Sequence, residues 1–144
     1  MKCLTPDQLR AYLRSNGVSS PDAVQKIILG FDFNKPVYEQ PLDHDGVLFQ
    51  FIRNPSANES TPAAGNWFCL SGATTGSLAI IDGGAGRRLH KYRVVLSLTA
   101  IEGSASRQNI NWIWSGGGPG GGTQIYIPPP LIGRLRAVAP HERW

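Results

Sequence analysis

Residues 90–103, HKYRVVLSLTAIEG, constrain the fold more than any other stretch of this chain. Tyr92, Val94, Leu96 and Leu98 fall on one face of an extended backbone, and Arg93, Val95 and Ser97 on the other. This is the period-two pattern of a strand with a buried side. Such a strand needs partners, and the chain supplies them. GVLFQFIRN (46–54), GNWFCL (65–70), SLAII (77–81), TQIYIP (123–128) and RLRAVA (134–139) all read as strands. In TQIYIP, Ile125 and Ile127 oppose Gln124 and Tyr126. The connections are rich in Gly, Pro, Ser and Asn, as turns require.

The first thirty residues follow a different grammar. LTPDQL offers Thr5 as N-cap, Pro6 at the first helical position and Gln8 three residues after the cap, a capping box. Leu9, Tyr12 and Leu13 continue as an apolar stripe until SNG at 15–17. SSPDAVQKIILG repeats the pattern, with Ser20 as cap, Val24, Ile27 and Ile28 as the stripe, and Gly30 as the stop. The sequence therefore predicts an α+β domain: a helical N-terminus over 1–30 and a mostly antiparallel β body over 46–139. Its 144 residues fit one domain, 1–144, large enough to bury roughly 70% of the unfolded surface.

Composition narrows the function. No apolar run approaches the ~20 residues of a membrane span, and MKCLTPDQLR lacks the apolar stretch of a secretory signal. The expectation is a soluble chain, or a fragment whose export information lies elsewhere. Cys3 and Cys69 are expected to be free thiols, Cys69 buried, and no Cys/His cluster has the spacing of a zinc site. Residues 1–82 hold six Lys/Arg and eight Asp/Glu, a charge of −2, and residues 83–144 hold eight and two, a charge of +6. Ten of the fourteen basic residues are arginine, which suits bidentate contact with phosphate. A solvated surface accounts for most of them. The remainder fit a phosphate-bearing ligand, a nucleic acid or an acidic protein partner.

The segment GGGPGGGTQIYIPPP (116–130) is unusual, since six of its first seven residues are glycine. A flexible linker is not expected, because only 22 residues follow Gly122 in this sequence. Two readings stay open: a loop that needs positive φ, and a loop whose backbone must approach a ligand where a Cβ would clash. Trp112 and Trp114 precede the run. Gln124 is the first polar side chain on the strand that leaves it. As a residue at a strand end it is expected to contribute little to the core. It cannot be a strong general base, but it can hold a sugar hydroxyl or position a water.

GGGTQ before a strand, preceded by YRVVLSLTAIEG, resembles the C-terminal half of NAD glycohydrolase toxins of the tuberculosis necrotizing toxin type. Those domains carry a Y-x-V strand and then a loop close to G-Q-P-G-G-G-x-Q. FIRNPSANESTPAAGNWFCL is similar to their arginine-bearing strand followed by a G-x-[YF] strand. The combination also looks like toxin domains of polymorphic effectors, including those of type VI secretion. The resemblance covers about residues 47–128. It departs at Gly117-Gly118-Pro119, where the glutamine of the G-Q-P triplet is missing, and over GATTGSLAIIDGGAGRR.

The resemblance implies an ADP-ribosyltransferase-like fold and hydrolysis of NAD, or NADP, at the nicotinamide–ribose bond, with the dinucleotide as substrate and no cofactor. It places the catalytic glutamine at Gln124 and the phosphate-binding arginine at Arg53. The aromatic of the G-x-[YF] strand falls on Trp67 or Phe68. Arg93 is a weaker phosphate candidate, and Gly121, Gly122, Thr123 and Tyr126 line the substrate from the loop and its strand. Glu102 and Asp82 are the only acids between residues 60 and 141. Glu102, after the strand expected to flank the glycine loop, is preferred as the carboxylate that stabilises an oxocarbenium-like state. ADP-ribosyl transfer on the same fold is an alternative. A metal-independent ribonuclease is another, with His90 as base beside Lys91 and near Arg87. The partners implied are an acidic immunity protein and a larger effector chain carrying delivery domains, rather than membrane or nucleic acid. The site of action implied is the cytoplasm of a target cell, reached by secretion or injection.

Overall fold

The computed structural model describes residues 3–52, 66–70, 88–105 and 122–138. Helix α1 spans Pro6–Ser15 and α2 spans Pro21–Leu29. The start of α1 is fixed reciprocally: Thr5 Oγ1 accepts from the Gln8 N–H at 3.2 Å, and Gln8 Oε1 accepts from the Thr5 N–H at 2.9 Å. These bonds satisfy donors that a helix start otherwise leaves without partners. Ser20 caps α2 from one side only, its hydroxyl oxygen accepting from the Ala23 N–H.

Seven strands follow: β1 (Tyr38–Leu42), β2 (Val47–Ile52), β3 (Trp67–Cys69), β4 (Arg88–Val94), β5 (Leu98–Ser104), β6 (Thr123–Tyr126) and β7 (Leu135–Ala137). They form one sheet in the order β1-β5-β6-β3-β2-β4-β7, with every pair antiparallel. A 3-10 helix, Pro129–Arg134, joins β6 to β7.

Each face of the sheet carries its own core. On one side Leu9 and Leu13 of α1 and Val24, Ile27 and Ile28 of α2 pack with Phe31, Val37, Ile101 and Tyr126. On the other, Leu48, Phe68, Tyr92, Val94, Leu98, Ala100, Ile125, Ile127 and Leu135 form a second cluster, joined by Leu131 and Ile132 of the 3-10 helix. That cluster draws on strands from both ends of the sheet, so the sheet curves around it.

The structure corrects the sequence reading at two places. The long strand over 90–103 is two strands broken at 95–97, and Leu96 is 58% exposed rather than on the buried face with Leu98. The Val94 N–H donates to Gly46 O and the Val95 N–H to Arg134 O, so the backbone changes partners there and the alternation resets. Strand β1 was not expected. The strand read at 77–81 lies outside the described residues. Both cysteines are free, Cys3 exposed and Cys69 buried.

Candidate active site

Gln124 sits on the helix-facing side of the sheet, between Gly103 of β5 and Cys69 of β3. It is 6% exposed, and its Nε2 donates to the carbonyl of Gly30 at 2.5 Å. Gly30 is the C-cap of α2, so the glutamine satisfies a carbonyl at the end of that helix. The helix end comes this close because no Cβ stands in the way. One on Gly30 would lie 3.0 Å from Trp67 Cη2, and one on Gly103 would lie 2.8 Å from Phe31 Cδ1. Phe31, Trp67 and Tyr126 pack together on this face of the sheet, with ring centroids 5.2 Å apart for Phe31–Trp67 and 5.0 Å for Trp67–Tyr126. Burial pushes the Tyr126 hydroxyl up to about 12 and the Cys69 thiol up to about 11, so both stay protonated at neutral pH. No described residue donates to Gln124 Oε1.

The exit of the glycine run is anchored beside Phe31. The Ala105 N–H donates to Gly122 O at 2.8 Å, the Asp32 N–H donates to Ser104 O at 3.0 Å, and Phe31 bridges Ala105. The end of β5, the chain leaving α2 and the last glycine of the run therefore meet in one place.

The other expected residues divide between the faces. Glu102 pairs with Ile125, the residue after Gln124, so Glu102 and Gln124 project from opposite sides of the sheet. Glu102 accepts a hydrogen bond from the Tyr38 hydroxyl. That bond, with burial and the carboxylate charge behind it, pushes the Tyr38 hydroxyl up to about 12. Thr123 is exposed on the Glu102 side, opposite Ser104. Phe68 is 2% exposed and meets Tyr92 edge-on at 5.7 Å, a core position. Trp67, half-buried, is the aromatic of the pair on the face of Gln124, packed against Phe31 and Tyr126.

Arg93 is half-buried on β4, between Val47 and Arg136. It shares the face of Gln124 but lies three strands away, about 14 Å across the sheet. Arg53 and Gly121 lie outside the described residues, as do Trp112, Trp114, Asp82 and Arg87. His90 and Lys91 are successive residues of one strand and point to opposite faces, so they cannot act as base and electrophile at a common site. Among the described residues, no group of three or more His, Cys, Asp or Glu could hold a metal ion.

Two residues of interest escaped the sequence reading. Tyr38 belongs to the unexpected strand β1. Gln50 is buried on β2, and its only sequence signal is a polar residue in the apolar run VLFQF.

No family model matches the chain, and no curated protein matches it. Among solved structures, Tse6 in complex with Tsi6 is similar over 92% of this chain and 92% of that chain, with a TM-score of 0.68 and 21% identity. Rhs1-CT in complex with its cognate immunity protein RhsI1 is more distant: TM-score 0.49 and 17% identity, over 76% of this chain and 80% of that one. The likeness to Tse6 is one of fold: an α+β chain with two short helices on one face of an antiparallel sheet.

Proposed function

We propose that this chain is the catalytic domain of a toxin that hydrolyses NAD or NADP to nicotinamide and ADP-ribose or its phosphorylated form. The observation that carries the reading is the position of Gln124. The glutamine of the GGGTQ motif is buried and tied to Gly30 on the face that carries Phe31, Trp67 and Tyr126, directly after the anchored end of the glycine run. The Tse6-like fold supports a toxin domain that takes an immunity partner, since Tse6 was solved in complex with Tsi6.

In this reading the C–N bond between ribose and nicotinamide breaks, and its electron pair leaves with the nicotinamide nitrogen. A water oxygen bonds to the anomeric carbon and releases a proton to solvent. Gln124 does not remove that proton, because an amide is no base. With Nε2 committed to Gly30, Oε1 has no donor among the described residues, and in this reading it accepts from a ribose hydroxyl or from the attacking water. A preorganised dipole of this kind stabilises charge that develops in the transition state. Trp67 offers its half-buried ring to the planar nicotinamide. Glu102 projects from the far face of the sheet, away from Gln124. The basic residues of the C-terminal half, including Arg93 and Arg136 side by side on β4 and β7, suit an acidic immunity protein. The larger effector chain and its target-cell site of action belong to the same proposal.

The test is release of nicotinamide from NAD by the purified chain, followed chromatographically with and without chelator. Release unaffected by chelator is expected. No release at micromolar protein, together with degradation of RNA, would favour a ribonuclease.

A further inference from the structure

Three adjacent strands at one end of the sheet hold no acid. β2 is VLFQFI, β4 is RLHKYRV and β7 is LRA, and together they carry four Lys/Arg. Lys91 and Arg93 are two residues apart and so share one face of β4. Arg136 of β7 stands directly opposite Arg93. On the other side Val47 and Phe49 of β2 oppose Arg93 and Lys91, and both are apolar. Phe49 pairs with Cys69 and Cys69 with Gln124, so the three cations lie on the face of Gln124.

Arg93 and Arg136 are like charges directly across an antiparallel pair, with Cβ atoms about 5 Å apart, an arrangement that costs stability. The strands cannot slip to relieve it. The Val95 N–H donates to Arg134 O at 2.8 Å on one side of the pair, and the Val138 N–H donates to Lys91 O at 3.0 Å on the other. A slip of β7 by one residue would also turn the buried Leu135 out of its core. Arg134 is committed elsewhere, its Nη1 donating to Ser97 O at 2.7 Å. Arg136 is exposed and forms no ion pair with a described residue. Asp45, in the turn before β2, is paired with His44. A like-charge pair held in fixed register calls for an anion that both members can share.

We propose that Arg93 and Arg136 are the two arms of a binding site for a phosphate monoester, with Lys91 as a third cation on the same face. Charge selects this class of ligand. A carboxylate or a phosphodiester brings one negative charge to the two arginines, whereas a monoester at neutral pH brings nearly two. Each guanidinium also presents paired N–H donors that match phosphate oxygens, which a point charge does not. Two sources carry this chemistry: the 2′-phosphate that distinguishes NADP from NAD, and a free phosphate such as a mononucleotide. The first is the expected one, because the site shares the face of Gln124. That assignment rests on the NAD glycohydrolase reading, and the anion site itself does not.

The first arm of the experiment is calorimetric titration with inorganic phosphate at neutral pH, in sodium chloride of matched ionic strength, on the wild type and on Arg136→Gln. The variant is expected to bind phosphate about tenfold more weakly or worse, as loss of a charge-assisted contact requires. In chloride alone it should melt no lower than the wild type, because it removes one of two opposed like charges. Equal phosphate affinity in the two proteins overturns the site, and so does the absence of phosphate binding in the wild type. A lower melting temperature of Arg136→Gln in chloride also overturns it, since the pair would then be a prop of the fold. The second arm is the ratio of kcat/KM for NADP to that for NAD, measured on one sample of each protein so that the folded fraction cancels. The wild type is expected to favour NADP by about tenfold or more, and Arg136→Gln to bring the ratio close to one. A ratio that the variant leaves unchanged while phosphate binding falls upholds the site and assigns it to a free phosphate. If neither dinucleotide is hydrolysed, the glycohydrolase reading fails by itself, and the phosphate titration still decides the site.

Discussion

Replacing Gln124 separates its two roles. Gln124→Met keeps most of the side-chain volume and removes the donor to Gly30 O. A buried carbonyl left without a partner costs about 1–3 kcal/mol. The entropy of unfolding for 144 residues, at ~2.1 cal/mol/K each, is roughly 0.3 kcal/mol/K, so each kcal/mol lowers Tm by about 3 °C. The expected fall is about 3–10 °C. Gln124→Ala should lie further down, because the truncation also opens space beneath Phe31 and Trp67. Both variants should lose about 10²-fold in turnover per folded molecule, the size of effect seen when a preorganised polar contact is removed. Melting is followed by circular dichroism and turnover by nicotinamide release, on the same samples at a temperature where all are folded. A Gln124→Met protein that melts with the wild type would refute the structural tie to α2. One that melts lower yet turns over NAD normally would leave the glutamine as a helix anchor and nothing more.

Gly103→Ala should destabilise by about 1–3 kcal/mol, because a Cβ 2.8 Å from Phe31 and 3.1 Å from Val37 forces two core residues to move; an unchanged denaturant midpoint would contradict this. A thiol reagent should label Cys3 in the native protein and Cys69 only on unfolding, since Cys69 is buried and its thiol is pushed up to about 11; fast labelling of both would count against the packing. The alkaline side follows from linkage. Cys69 titrates near 9.0 when unfolded and near 11 when folded, so stability is level below about pH 9 and falls as pH rises towards 11. Tyr12 and Tyr126, raised from 10.0 to about 12 mainly by burial, extend the fall, and a Tm that held steady from pH 8 to 11 would show the sign to be wrong. Arg53→Ala should raise KM for NAD by tens-fold with kcat little changed, because the diphosphate charge is the same in ground and transition states; an unchanged KM would remove Arg53 from the phosphate site.

What the sequence could reveal depended on whether the cause was local. The helix starts were legible because Thr5, Pro6 and Gln8 act on one another within a single turn. β1 was missed because YEQPL carries a charge and a proline and has little alternation. It survives as a strand because it lies at the edge of the sheet, where a missing N–H can face solvent. The break at 95–97 was hidden because the apolar pattern runs through it, and only the hydrogen bonds to Gly46 and Arg134 show the change of partners. The motif marked Gln124, but not its burial. Its partner, Gly30, stands 94 residues earlier in the chain, and no local pattern reports a contact so distant. The same holds for Gln50, a buried polar residue of β2 whose Nε2 reaches the Trp67 carbonyl 17 residues on.

The strand order carries a consequence for how the chain acquires its shape. Reading across the sheet, four of the six pairings join strands that are not consecutive in the chain: β1 with β5, β3 with β6, β2 with β4 and β4 with β7. Closing loops of this size must precede the reward of pairing them, which makes such topologies slow to assemble. During synthesis, β1 has no partner until residue 98 has emerged, and β5 and β3 remain unjoined until Thr123 arrives between them. The helix-facing core would then close late and nearly all at once, because Gln124 and Tyr126 come with that same strand. A nascent chain halted before β6 would hold exposed strand edges and lack Gln124, so the candidate active site and the fold should be completed in a single step.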